Sequence, residues 1–372
     1  MPVATLRKIV GIAPDVGTQR RQNRPDGTQK LWLFQGLRAL AAICVVFDHA
    51  IETLVSRGLP LTDLLPTAYF LGEFGVRIFF ALSGYIMIHT TRNVPSGGSS
   101  ALNFMLRRVL RIVPLYWLAT AIYAAKLTIE GSAPGLNAII LSLLLVPQFS
   151  VFGTIAPIYG LGWTLSYEMY FYLALALALT LFGPRWRGVV ASGLIAALFV
   201  VAGVLSRPAG SPAIVGFLSN GIVFYFVLGI GAALLQPVSG ASRIGLALSI
   251  LGAVIVLVGI GKGALLTNDL GVAALTTGLL VSAAHLSDRW APQKRAVLLG
   301  DASYSIYLFH SFVIGPLGSL IAARTPWLPA TIAIVLMVAV AVSISLLVYL
   351  FVERSIINWS RNLTAGPKPR AA

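Results

Sequence analysis

Arg38 and His49 lie eleven residues apart in an apolar run near the N-terminus, with Asp48 and Glu52 close by. An ionisable side chain in hydrocarbon costs roughly 3 kcal/mol or more, so each of these four residues is a candidate for function. Eleven residues is almost a whole number of helical turns. On a helix the two side chains fall within roughly 20° of one another and about 16 Å apart along the axis. A guanidinium at one level holds anionic groups, and an imidazole at the other takes or gives a proton near neutrality. The pair suits a substrate threaded between two levels; it equally describes two hydrogen-bonding groups turned into a bundle interior. Glu52, three residues beyond His49, is placed to orient the ring. Cys44 points about 140° away from His49 and reads as a packing residue.

Arg108 and Arg111 share a helix face at i, i+3, and guanidiniums bind phosphates well. With Arg38 they form either a site for a phosphate-bearing cytosolic donor or a basic anchor at a membrane face. The segment from Gly162 to Tyr172 opens an apolar run with Trp163, Ser166 and Glu168. Carboxylate, aromatic faces and hydroxyls together resemble a sugar-binding surface, which puts Glu168 at the outer level of His49. His310 falls near the middle of another run, as a buried helix contact or as a direct participant. Glu73 and Arg77 read as an i, i+4 ion pair. There is no H-x-x-x-H spacing and no phosphate-cradling glycine loop.

The elements that carry these groups are membrane helices. Of 372 residues, 57% are hydrophobic and only 10% charged, and mean hydropathy is +0.86. Too few charges are present to cover a soluble protein of this size. The apolar stretches are continuous, not alternating, which excludes a membrane barrel. Lys and Arg outnumber Asp and Glu by 27 to 12, for a net charge of +15. Basic loops of a membrane protein account for that excess better than nucleic-acid binding does.

Eleven apolar segments can be drawn, but 136–149 is only some fourteen residues with Pro147 near its end, short for a span. With the N-terminus cytoplasmic and that segment not crossing, 20 Lys and Arg lie inside and 5 outside; if it crosses, the split is 13 to 12. The expected fold is therefore all-α: a polytopic membrane protein of about ten transmembrane helices, one short re-entrant or interfacial segment and both termini cytoplasmic. Residues 1–30 read as a disordered basic cytoplasmic arm, 31–356 as the transmembrane domain and 357–372 as a cytoplasmic tail.

Six ordered motifs carry a resemblance: Gly36-Leu37-Arg38 through His49-Ala50; Gly75-Val76-Arg77 through Ser83-Gly84-Tyr85; Arg108-x-x-Arg111-x-x-Pro114; Trp163-Thr164-Leu165-Ser166-Tyr167-Glu168; Ser303 through Leu308-x-His310; and Val352-Glu353-Arg354. In these the chain resembles the acyltransferase 3 family of integral membrane acyltransferases, and especially its exopolysaccharide-acetylating branch. The resemblance implies an inner-membrane enzyme that takes an acyl group, most often acetyl, from cytosolic acyl-CoA and places it on a sugar hydroxyl of an exopolysaccharide or its lipid-linked precursor. It implies acetyl-CoA as co-substrate, no metal and no nucleic acid, with polysaccharide-synthesis proteins as possible associates. His49 is then the general base, with Arg38 and Glu168 catalytic. Arg38, Arg108 and Arg111 hold the donor, and Trp163, Ser166 and Glu168 orient the acceptor. Glu52, His310 and Glu353 support them. Two positions depart from the family pattern: Asp48 stands where relatives usually have an uncharged residue, and Arg77 where an acidic one is common. A lipid-linked sugar exporter that makes no bond is the alternative.

Overall fold

The computed structural model describes residues 32–150, 153–206, 211–235, 240–261, 269–287, 293–325 and 327–364. The proposed arm, 1–30, and the last residues of the proposed tail, 365–372, lie outside the described residues; 357–364 are helical. Among the described residues the only β pairing is an isolated bridge between Phe149 and Ile155. The chain is an all-α polytopic membrane protein, and its described residues include ten helical segments long and apolar enough to cross a bilayer. Leu136–Leu143 is not among them. At eight residues it rises only about 12 Å, well short of a hydrocarbon core of about 30 Å.

In chain order the helices are α1 (Trp32–Ser56), α2 (Leu65–Thr91), α3 (Gly98–Ile129), the short α4 (Leu136–Leu143), α5 (Trp163–Leu181), α6 (Arg187–Leu205), α7 (Ala213–Leu218), α8 (Val223–Leu235), α9 (Ala241–Gly261), α10 (Asp269–Leu286), α11 (Lys294–Asp301), α12 (Ser303–Arg324), α13 (Ala330–Val348) and α14 (Arg354–Thr364). The apolar segment 297–321 divides: α11 is a separate polar helix and only α12 is long enough to span. The final segment is longer than 328–352, because a π-helical turn at Tyr349–Glu353 carries α13 into α14.

α1 packs on α2, α11, α12 and α13, while α2 also packs on α8. Small residues allow these close approaches, which is how membrane helices gain van der Waals contact without a solvent-driven term. Gly75 faces the Ala41 carbonyl and Gly229 the Ala81 backbone, each so near that a Cβ would collide. The outward faces stay apolar: Leu173, Leu177 and Leu181 on α5, and Leu246, Ile250 and Leu257 on α9, are all exposed. That is the pattern of a surface facing lipid. By contrast, every residue from Ser303 to His310 is buried, so the first two turns of α12 are surrounded by protein.

The α2–α8 contact yields a direct test. Gly229→Ala forces two backbones apart and is expected to cost about 1–3 kcal/mol, seen as a lower unfolding midpoint in detergent. Gly203→Ala on α6, where the added methyl meets open space, does not lower the midpoint, since alanine favours a helix over glycine.

Candidate active site

Three cavities run along α1. The first, about 130 Å³, is lined by Arg38, Arg108, Arg111, Ser83, Glu168 and Tyr172, together with Val76, Phe79, Thr164 and Tyr307. α3 is 32 residues long, or about 48 Å, longer than a hydrocarbon core, and it carries Arg108 and Arg111. The Arg108 guanidinium lies 5.5 Å over both the Phe104 and Tyr172 rings and donates to Thr90 Oγ1 at 3.4 Å. Two aromatic faces hold the cation flat and leave its fork available to an anion.

Glu168 shares this cavity with the arginines, not the level of His49. α5 starts at Trp163, so Glu168, five residues on, sits about 7–8 Å deeper. Its Oε1 accepts hydrogen bonds from the Ser83 hydroxyl and, at 2.5 Å, from the Tyr172 phenol. Arg108 and Arg38 are near enough to interact with its charge. Glu353, on the π-helical turn, accepts from Ser305 N at 3.1 Å and Ser305 Oγ at 2.5 Å, and Arg38 and Arg111 act on it electrostatically. A π turn often marks a working site, and Glu353, carried by this one, is buried against Ser305 and lines none of the three cavities.

His49 lines the other two cavities, of about 690 Å³ and 650 Å³. Its Nδ1 lies 2.9 Å from the Val45 carbonyl. A carbonyl only accepts, so Nδ1 carries the proton and a neutral ring has its lone pair on Nε2. Val45 rather than Glu52 makes the Nδ1 contact, and Glu52 lines the third cavity. The His310 ring centroid is 5.0 Å from that of His49. His310 is fully buried, with Nδ1 3.0 Å from the Ile306 carbonyl and Nε2 without a hydrogen-bond partner.

Trp163 lines both His49 cavities. Ser166 is buried in α5 and lines none of the three. Cys44 is buried. The Glu73–Arg77 pair forms at 2.8 Å and extends to Asp269 at 2.9 Å. Among the described residues no group of three His, Cys, Asp or Glu side chains is arranged to hold a metal ion.

Val76 and Tyr307 line both the arginine cavity and the larger His49 cavity, and so form the wall between them. The Tyr307 hydroxyl donates to the Leu161 carbonyl at 3.0 Å and accepts from Thr164 Oγ1 at 2.8 Å. Sequence reasoning did not single out Tyr307, Ser83 or Tyr172. Ser83 and Tyr307 lie inside two of the six motifs and Tyr172 lies four residues beyond a third, but periodicity gives no sign of which of their residues turns inward.

The sequence profile of the family described as "Acyltransferase domain" matches residues 33–346. Over 318 residues the chain is 35% identical to the exopolysaccharide production protein ExoZ of Rhizobium meliloti (strain 1021), covering 81% of this chain and 95% of the relative. It is 27% identical over 318 residues to nodulation protein 10 of Rhizobium leguminosarum bv. viciae, covering 76% and 82% respectively. No solved structure matches the chain.

Proposed function

This chain belongs to the acyltransferase-domain family, and on that premise we propose that it moves an acyl group, acetyl in the first instance, from cytosolic acyl-CoA to a sugar hydroxyl of an exopolysaccharide or its lipid-linked precursor. The relative named for exopolysaccharide production supports the acceptor class. The excess of basic residues on one side supports an inner-membrane placement with both termini cytoplasmic and the arginine cavity open to the donor.

The observation that carries the reading is the shared wall. Three guanidiniums stand on one side of Val76 and Tyr307, and an imidazole with a free Nε2 lone pair on the other. Arg38, Arg108 and Arg111 hold the nucleotide phosphates, and the pantetheine arm passes Tyr307. The sugar hydroxyl attacks the thioester carbonyl carbon while His49 Nε2 takes its proton. The C–S bond breaks, the CoA thiolate leaves, and the imidazolium returns the proton to sulfur, which restores the neutral ring. Glu168 acts on the donor side in this scheme. Held by Ser83 and Tyr172, it sets a carboxyl group in the cavity that the three guanidiniums line.

Membrane vesicles carrying the protein, supplied with acyl-labelled acetyl-CoA and unacylated polymer, test this. The expected outcome is alkali-labile label on the polymer and one CoA thiol released per ester formed. Export of glycan with neither acetyl-CoA nor succinyl-CoA consumed would overturn it.

A further inference from the structure

Two cavities, not one, meet at His49. His49, Leu161 and Trp163 line both, and each volume lies within the range of about 300–1,000 Å³ that takes a small ligand. The larger one holds an unused polar group. Asp48 is only 9% exposed, lines the cavity, and its Oδ1 has no hydrogen-bond partner. Room for this carboxyl group is made by Gly72, where a Cβ would collide with Asp48 Oδ2. A buried, unpaired carboxyl oxygen is costly unless a ligand supplies the donor.

The surroundings suit a sugar ring better than a lipid tail. Tyr225 lines the same cavity beneath the Arg77 guanidinium, 5.3 Å away, and the Arg77–Asp269 pair and Asn220 add polar groups. In the smaller cavity the Tyr123 and Tyr159 rings lie 5.3 Å apart, with Glu52 and Ser311 beside them. The half-buried rings of Trp163, which lines both cavities, and Tyr123, with carboxyl and hydroxyl groups beside them, match the C–H faces and hydroxyls of pyranoses.

We propose that the two cavities are glycan subsites on either side of His49. The acceptor binds as a chain of at least two rings, one per cavity, with the Asp48 carboxyl group accepting a hydroxyl of the ring in the larger one. Acylation then falls on a ring held within a chain, and an isolated sugar is a poor acceptor. This rests on the acyl-transfer reading for the part played by His49, but glycan binding can be measured without it.

The test is calorimetric titration of the full-length protein in lipid nanodiscs, with no acyl donor. The probes are polymer from cells lacking this protein, partially hydrolysed and fractionated into single-ring and two-ring pieces. Two-ring pieces are expected to bind at least about tenfold more tightly than single rings. Asp48→Asn, which keeps the side-chain shape, and Trp163→Leu, which removes the ring lining both cavities, each shrink that preference to about threefold or less. Equal affinity for one and two rings overturns the proposal, as does no binding of either fraction or a preference unchanged in both variants. Release of CoA thiol from acetyl-CoA, followed separately, reports on the reaction. Two-ring preference without thiol release leaves the subsites standing and removes acyl transfer; thiol release with no length preference does the reverse.

Discussion

His49→Ala is expected to lower polymer acylation by about 10²–10⁴-fold, the usual contribution of a positioned general base, with the protein present in the membrane at its normal level. Both halves of this expectation follow from one hydrogen bond. The Val45 carbonyl belongs to the preceding turn of α1, so losing the imidazole costs the helix about 1 kcal/mol at most and leaves its backbone ladder whole. The same bond fixes the tautomer that puts the lone pair on Nε2, and alanine provides no replacement. His49→Asn separates base from shape, since an amide fills much of the volume but takes no proton, and it should be as inactive as alanine. Ester content of the polymer by NMR, beside membrane abundance by immunoblot, gives the result. Acylation retained in both variants at normal abundance would remove His49 from the chemistry. His310→Asn is expected to act more mildly. That ring packs against His49 at 5.0 Å and positions it, so the loss should be in kcat without a change in donor KM.

The framework of this site was legible because it depends on period and length. Arg38 and His49 fall on α1 as the eleven-residue spacing requires, one in the arginine cavity and the other in the two beyond the wall. The short fourth segment betrayed itself by length and by the basic residues downstream of it. What escaped depends on where an element starts and what crosses from its neighbours. Hydropathy puts Glu168 at the outer level, near the start of an apolar run, whereas five residues of helix carry it inward to Ser83 and Tyr172. The π-helical turn that delivers Glu353 to Ser305 leaves no mark in hydropathy. Asp48 drew notice only as a charge out of place. Its place in the larger cavity depends on Gly72 of α2 lying against it, and no pattern along one strand of sequence reports a contact between two helices.

Arg111→Ala is expected to raise the KM for acetyl-CoA by about 10–100-fold while kcat falls less than about threefold, because a charge-assisted hydrogen bond to phosphate is worth about 1.5–3 kcal/mol. An interaction made equally before and during the chemical step appears in KM alone. Arg111 qualifies because it lines the arginine cavity across the Val76–Tyr307 wall from His49. Arg108→Ala should behave alike and also release the Phe104 and Tyr172 rings, over which the guanidinium lies at 5.5 Å. Lysine at position 111 keeps the charge and loses the fork, so it should recover only part of the affinity. Dephospho-CoA thioester separates phosphate recognition from a general effect of charge. The unsubstituted protein should discriminate strongly against it, and whichever arginine holds the missing phosphate should lose that discrimination when replaced. Raising the ionic strength should raise the acetyl-CoA KM of the unsubstituted protein more than that of the Arg108→Ala, Arg111→Ala double variant, since exposed charge pairs are screened. Unchanged donor KM in both single variants and in the double would move the phosphate site away from this cavity, and the wall at Tyr307 would then no longer separate donor from base.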